Sequence, residues 1–176
     1  REKVAPIVSS LHGSWLGERD GLQTAAAQRE AAVWTNPNDL AILLSAGYYA
    51  KFERAALTGS DICVANSNAT KEDFLERYSP PAEWNCEVIH WGVDTDMFYP
   101  SDSAKETETS HLLAVDRLAA RKGYYSLLRA FAEVKQRRPN SELLIVGRGH
   151  LQKRLENQAK SLEISSSVRI DSGMPF

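Results

Sequence analysis

The sequence predicts an α/β protein: parts of two Rossmann-like β/α/β units with parallel sheets, joined by a hinge. Three observations lead there. Apolar runs of strand length alternate with longer stretches of helical period, which is the order of a parallel sheet covered by helices. That rhythm breaks once, in an irregular polar stretch at residues 101–110, and then restarts. Finally, the segment LLAVDRLAARKG at 112–123 passes from an apolar run through a charged turn into a helix, as a strand–loop–helix step does.

The elements follow in order. Residues 4–11 (VAPIVSSL) read as the first strand, with His12-Gly13-Ser14 at its carboxyl end. Residues 17–38 carry little pattern; an alanine-rich helix is expected around 22–34, stopped before Asn36-Pro37-Asn38. A long helix is expected over 39–57, capped near Asn38, with Leu40, Leu43, Leu44, Tyr48, Phe52 and Ala55 as apolar positions and Gly59 at its end. DICVA at 61–65 reads as a buried strand, and Asn66-Ser67-Asn68 as its polar exit. Thr70 and Asp73 have capping-box spacing for a helix over 71–77, which Pro80-Pro81 breaks. CEVIH at 86–90 is the next strand, followed by Gly92 to Pro100.

Beyond the polar stretch come a strand at 111–115, a helix at 123–137 ended before Pro139, and a strand at 142–146. The turn Gly147-Arg148-Gly149, a helix at 150–162 and a strand at 167–170 complete the chain. The apolar run at 111–115 suits a strand buried on both faces. Residues 1–98 are thus one domain, 99–110 a linker and 111–176 the other domain. No internal repeat or low-complexity segment is present.

Composition narrows the function. With 43% hydrophobic and 25% charged residues and a net charge of −2, the chain is a soluble globular type without the basic excess of a nucleic-acid binder. No apolar run reaches the ~18 residues of a membrane-spanning helix, and the N-terminus has no signal-peptide pattern. Cys63 and Cys86 each fall inside an expected strand, so they read as buried reduced thiols of a cytosolic protein. The chain starts at Arg1 without a methionine and stops at Phe176 just after a strand, so a fragment is expected.

The segment at 112–123 carries the chemistry. Arg117 follows the carboxyl end of its strand, and Lys122-Gly123 opens a helix with Leu127, Leu128, Phe131 and Val134 at offsets of three and four. Two cations therefore converge above the carboxyl edge of a parallel sheet, where open α/β proteins bind ligands. The helix start adds free N–H groups and a positive dipole end. Arginine offers a planar fork for a phosphate and lysine a point charge. The site suits a phosphate or diphosphate; the alternative is a pair of solvated cations at a helix start.

In series, DICVANSNATKEDF, VIHWGVDTDMFYP, DRLAARKGYYSLLRAF and ELLIVGRGHLQKRL resemble the retaining glycosyltransferases of the GT-B fold, family 4 (glycosyl transferases group 1). The four elements stand in that family's order between about residues 60 and 150, and the strand and His-Gly at 7–13 fit upstream. The resemblance implies transfer of a sugar from a nucleotide-sugar donor to an alcohol acceptor, with retention of configuration. It implies no metal and no cofactor beyond that donor substrate. The acceptor is left open among a saccharide, a lipid-linked saccharide and a small metabolite. It also implies a cytoplasmic protein, with peripheral association of the full-length protein at the inner membrane face left open.

The resemblance also assigns roles. Arg117 and Lys122 match the pair that binds the donor diphosphate and stabilises the leaving group, with Gly123 at the helix start. His12 matches a cleft histidine that touches the donor sugar or its phosphate, a catalytic role; a capping or packing histidine is the alternative. Gly147-Arg148-Gly149 matches the loop on which the nucleotide approaches the backbone, its glycines permitting positive φ and close contact. Gly92, Asp94, Phe98 and Pro100 read as hinge residues, with Phe98 an apolar plug and Pro100 a stiff exit. Asn66 and Ser67 read as a helix-start cap. The aromatics read as packing and surface, with Trp15 beside the His-Gly loop the one candidate for sugar stacking.

Departures from the family pattern define the alternatives. Asp116 replaces the usual glycine before the arginine, and is expected either to pair with Arg117 or a nearby lysine or to weaken phosphate binding. His90-Trp91 replaces a proline-asparagine pair. The glycine-rich acceptor loop would lie before Arg1 and the "E-x7-E" carboxylate pair after Phe176, so these residues alone are expected to be inactive. A second reading is a nucleotide-sugar-binding module without catalysis on the same fold. A third is a GT-B-like epimerase, for which only His12 and His90 are placed.

Overall fold

The computed structural model describes residues 5–28, 36–100 and 109–173. The chain divides into two compact units, one of Arg1–Gln23 with Pro37–Ser101 and one of Thr24–Asn36 with Asp102–Phe176. Each is built on its own three-stranded parallel sheet.

In the first unit the sheet runs in the order β1 (Val8–Leu11), β2 (Ile62–Ala65), β3 (Cys86–Val88). Val8 stands opposite Ile62, and Cys63 opposite Cys86. Both thiols are free and buried, and burial pushes that of Cys86 up. Its helices are α2 (Pro37–Gly59), α3 (Asn68–Tyr78) and α1 (Trp15–Ala27) as far as Gln23. Leu11, Ala50, Leu57, Cys63, Ala65, Phe74, Tyr78 and Cys86 form one core.

Local chemistry moves several boundaries. Helix α1 begins at Trp15 rather than near 22 because the Ser14 hydroxyl accepts the Gly17 N–H at 2.9 Å, satisfying an orphan donor of the first turn. The expected stretch 29–34 of that helix lies outside the described residues. Helix α2 opens on Pro37, whose missing N–H costs nothing at a first helical position. It packs through Ala46, Ala50 and Leu57, while Leu44, Tyr48 and Phe52 are exposed. Small side chains admit the close approach; the aromatic stripe faces away. In α3 the cap is Ser67, which accepts the Thr70 N–H at 3.1 Å, so Thr70 is inside the helix rather than capping it. Asp73, the other half of the expected capping box, instead binds Ser14 and Arg77.

In the second unit the order is β4 (Ser110–Val115), β5 (Ser141–Val146), β6 (Val168–Asp171), in parallel register from Ser110 opposite Ser141. Helices α4 (Tyr124–Arg137) and α5 (Gln152–Ser161) pack on each other and on the sheet. Tyr124, Leu128 and Phe131 are the buried stripe of α4, with Leu127 and Val134 half-buried beside it. Leu151, Leu155 and Ala159, spaced four apart, bury the facing side of α5. Full burial of Phe131 or Leu128 contributes about 2–3 kcal/mol each by area.

One expectation fails here. Strand β4 is not buried on both faces: it is an edge strand, and Leu113 and Val115 are 65% and 67% exposed. Alternate side chains of a strand point to opposite faces, and the buried Leu143 and Ile145 mark the face that α4 and α5 cover. The core of the linker, residues 101–108, lies outside the described residues.

Candidate functional site

The cationic turn is built by two interlocked loops at the carboxyl edge of the second sheet. Strand β4 ends at Val115, and Asp116-Arg117 follow. A short 3-10 turn over Ala120–Lys122 then closes on Gly123, whose φ of +69° is the left-handed region that favours glycine. Helix α4 starts immediately after it. The partner loop, Gly147-Arg148-Gly149, leaves β5 alongside. Leu118 N–H donates to the Arg148 carbonyl at 2.9 Å, and Leu151 N–H donates back to the Leu118 carbonyl at 3.3 Å. Leu118 itself is fully buried.

This interlock explains the glycines differently from the sequence reading. Neither Gly147 nor Gly149 has positive φ. A Cβ on Gly147 would lie 1.8 Å from the Asp116 carbonyl oxygen, and one on Gly149 would lie 2.3 Å from the Leu118 carbonyl oxygen. Their close contact is with the backbone of the arginine loop. The Tyr124 hydroxyl donates to the same Asp116 carbonyl at 3.2 Å, fixing the loop from the helix side. Burial and the nearby Asp116 charge push the Tyr124 phenol up.

The charges are arranged in two kinds. Lys122 Nζ lies 2.6 Å from Asp116 Oδ2, and Asp116 Oδ1 accepts the Arg117 backbone N–H at 2.6 Å. Burial pushes the Asp116 carboxyl up, but the Lys122 and Arg117 hydrogen bonds and charges outweigh it and hold the group below the ordinary carboxylate value. Arg117 is exposed, and its guanidinium has no ion-pair partner among the described residues. Arg148 turns away from this role in part, since its Nε donates to the Ser172 carbonyl at 2.8 Å and ties the loop to the end of β6.

His12 belongs to the first unit, on the loop after β1. Its Nε2 is 3.1 Å from Ser10 Oγ, and its ring packs 5.2 Å from that of Trp91 at 42°. The loop is anchored next door: Ser14 caps α1 and donates to Asp73 Oδ2 at 2.7 Å. Asp73 in turn binds Arg77, which also pairs with Asp20. Trp15 stacks on Tyr49 with ring centroids 4.6 Å apart, and its backbone N–H donates to Glu53 at 3.1 Å. The Tyr78 hydroxyl donates to the same Glu53 carboxylate, and burial with that contact pushes the phenol up.

At the hinge, Asp94 Oδ1 accepts the Asp96 and Met97 N–H groups at 3.0 and 3.2 Å, and the Asp94 carbonyl accepts that of Phe98 at 2.8 Å. The aspartate organises this turn. Phe98 is 65% exposed. Gly92 has open space where a Cβ would stand, and Pro100 is exposed. Among the described residues, no three His, Cys, Asp or Glu side chains gather as metal ligands would.

The sequence reading did not find the His12–Trp91 contact, the Ser14–Asp73 bond or the Tyr124 hydroxyl on the arginine loop. The first two join residues far apart in the chain, and the third depends on how the 3-10 turn folds the start of α4 back over the end of β4. Trp91 alone carried a signal, as a large aromatic beside a glycine where the family pattern has a smaller polar residue.

Two parallel α/β units in one chain, the second with a clamped cationic turn at its carboxyl edge, define a two-unit Rossmann-like protein. The chain belongs to the glycosyltransferases: the Glycosyltransferase Family 4 profile matches residues 1–97 and the Glycosyl transferases group 1 profile matches residues 98–175. A GDP-mannose-dependent alpha-(1-6)-phosphatidylinositol monomannoside mannosyltransferase of Mycolicibacterium smegmatis is 30% identical over 124 residues, 66% of this chain and 32% of the relative. A D-inositol 3-phosphate glycosyltransferase of Corynebacterium jeikeium is 31% identical over 134 residues, again 66% and 32%. The chain thus spans about a third of the length of these curated relatives.

Among solved structures, WaaG, a glycosyltransferase involved in lipopolysaccharide biosynthesis, superposes with a TM-score of 0.60 at 21% identity, over 86% of this chain and 43% of that one. The pneumococcal O-GlcNAc transferase GtfA, solved with UDP and GlcNAc, gives 0.56 at 15%, over 73% and 25%. The likeness establishes the fold as that of the GT-B enzymes.

Proposed function

We propose that the protein carrying this chain transfers a sugar from a nucleotide-sugar donor to an alcohol acceptor with retention of configuration. One observation carries the reading: an exposed arginine and a lysine are held at the carboxyl edge of a parallel sheet by two loops locked together backbone to backbone. In the reaction the bond from the anomeric carbon to the diphosphate oxygen breaks, its electron pair leaving with the oxygen. The acceptor hydroxyl oxygen bonds to the anomeric carbon and its proton passes to the leaving diphosphate or to water. Arg117 and Lys122 would neutralise the charge that develops on that diphosphate, without a metal. Gly123, Gly147, Arg148 and Gly149 would shape the donor loop, and His12 would donate a hydrogen bond to the sugar or its phosphate.

The domain reading goes with this proposal: residues 1–98 on the acceptor side, 99–110 as linker, 111–176 on the donor side. The relatives' names support nucleotide-sugar donors and acceptors that include a lipid-linked sugar and an inositol phosphate. The acceptor of this protein is proposed at the level of an alcohol on a saccharide, lipid-linked saccharide or small metabolite. No described helix is long and apolar enough to cross a membrane, and a cytoplasmic location, at the inner membrane face for a lipid-linked acceptor, is proposed with the function.

The test is Arg117→Ala with Lys122→Ala in the full-length protein, assayed for release of nucleoside diphosphate from a panel of nucleotide-sugars. Loss of transfer with the fold intact by circular dichroism supports the site; transfer that survives both changes removes it. The Asp116–Lys122 pair favours one second reading, a module that binds the donor without turnover. Donor binding with no transfer by the unaltered full-length protein would select it.

A further inference from the structure

The Asp116 carboxylate is a fixed anion inside a site read as binding anions. Its Oδ1 is pinned by the Arg117 N–H at 2.6 Å, and its carbonyl is held by the Tyr124 hydroxyl at 3.2 Å. A Cβ on Gly147 would stand 1.8 Å from that carbonyl oxygen, so the two loops pass each other backbone to backbone. Lys122 is the mobile partner. It sits on the last residue of a 3-10 turn, reaches Asp116 Oδ2 through a flexible stem, and both side chains stay open to solvent at 33% and 40% exposure. An exposed pair of this kind is weak and exchangeable.

We infer that Asp116 is an internal counter-ion that competes with the donor diphosphate for Lys122 and so sets how tightly the donor and the departing nucleoside diphosphate are held. The inference rests on the donor-site reading above. In the structure Lys122 is paired with Asp116. Donor binding moves the ammonium onto the diphosphate, where two or more negative charges outbid one carboxylate. Once transfer is complete, the carboxylate takes Lys122 back as the nucleoside diphosphate leaves. Arg117, exposed and without an ion pair among the described residues, makes the first contact. Asp116 is therefore a positioning residue acting through Lys122, and it trades donor affinity for product release.

The experiment titrates UDP, GDP and inorganic diphosphate into the unaltered full-length protein and into its Asp116→Asn and Asp116→Gly variants by calorimetry. The asparagine preserves size and the backbone hydrogen bond while removing the charge. Competition predicts about two- to fivefold tighter binding in both variants, and a gain that shrinks when Lys122→Met is added. In the full-length protein the same changes lower the donor KM and strengthen inhibition by the nucleoside diphosphate, without raising kcat. Binding that is unchanged or weaker in Asp116→Asn overturns the inference, and means the carboxylate orients Lys122 for the ligand. No binding of any of the three probes to the full-length protein or to either of its variants overturns the donor-site reading itself.

Discussion

The α-carbon of Gly147 faces the carbonyl oxygen of Asp116 so closely that a Cβ would stand 1.8 Å from it. The obstacle is backbone, with no flexible side chain to swing aside. Gly147→Ala should therefore push the two loops apart at a cost of about 2–3 kcal/mol, the scale of overpacking in a well-packed site. Gly149→Ala, with 2.3 Å to the Leu118 carbonyl, should behave alike. Gly92→Ala is the control: nothing lies within 4 Å, so its effect should stay within about 0.5 kcal/mol. Urea midpoints of the three variants check this, and a neutral Gly147→Ala would mean the loops are not locked.

Ser14 has two duties on opposite sides of one oxygen. It accepts the Gly17 N–H at 2.9 Å as the cap of α1 and donates to Asp73 at 2.7 Å. Ser14→Ala loses both and should cost about 1–2 kcal/mol in urea unfolding. Because Gly13 and His12 precede it directly, the change should also loosen the His12 loop. Proteolysis at that loop, faster in Ser14→Ala than in the unaltered protein, is the second readout.

The strands were legible because parallel strands write their burial into short apolar runs; ICVA and SELLIV fall within a residue of their expected places. The site was legible in part for the same reason: the arginine and lysine are bound to a strand end and a helix start close in sequence. What was illegible depends on partners distant in the chain. The run at 111–115 looked doubly buried, yet only the face bearing Leu112 and Ala114 is even half-covered. Whether a face is covered is decided by helices elsewhere. The α2 aromatics looked like a core stripe because period alone cannot say which of two apolar faces packs, and alanines won. The glycines of the 147–149 loop were recognised, but their reason lies in a backbone that approaches from β4.

Acid should weaken the first unit through Asp20. The hydrogen bond from Arg77 holds its carboxyl below the ordinary value, against a smaller rise from burial, with Arg19 adding to the lowering. The unfolded chain therefore protonates this group first. Its stabilisation is complete above the unfolded carboxylate value of about 3.9 and is lost as pH falls through the lower folded value. Asp20→Asn should make the fall of the first unit's urea midpoint between about pH 5 and pH 2 shallower, while Asp116 and Asp171, lowered in the second unit, leave that unit's slope unchanged. An unaltered slope would mean the Arg77 contact is not made in solution.

Trp91 should matter to turnover and not to stability. It is 70% exposed, so removing its indole uncovers little core, yet its ring is the one that packs on His12 at 5.2 Å. If His12 donates to the donor sugar as proposed, Trp91 holds the imidazole for that role from one side and Ser10 from the other. Trp91→Ala in the full-length protein should then lower kcat about three- to tenfold with the donor KM nearly unchanged, since a misplaced hydrogen bond is felt in the transition state. Trp91→Phe keeps an aromatic face and should restore most of the rate. The urea midpoint should move by less than about 0.5 kcal/mol in either variant. A rate loss that phenylalanine fails to rescue would point to the indole touching substrate directly, and no loss in either variant would leave His12 positioned by Ser10 alone.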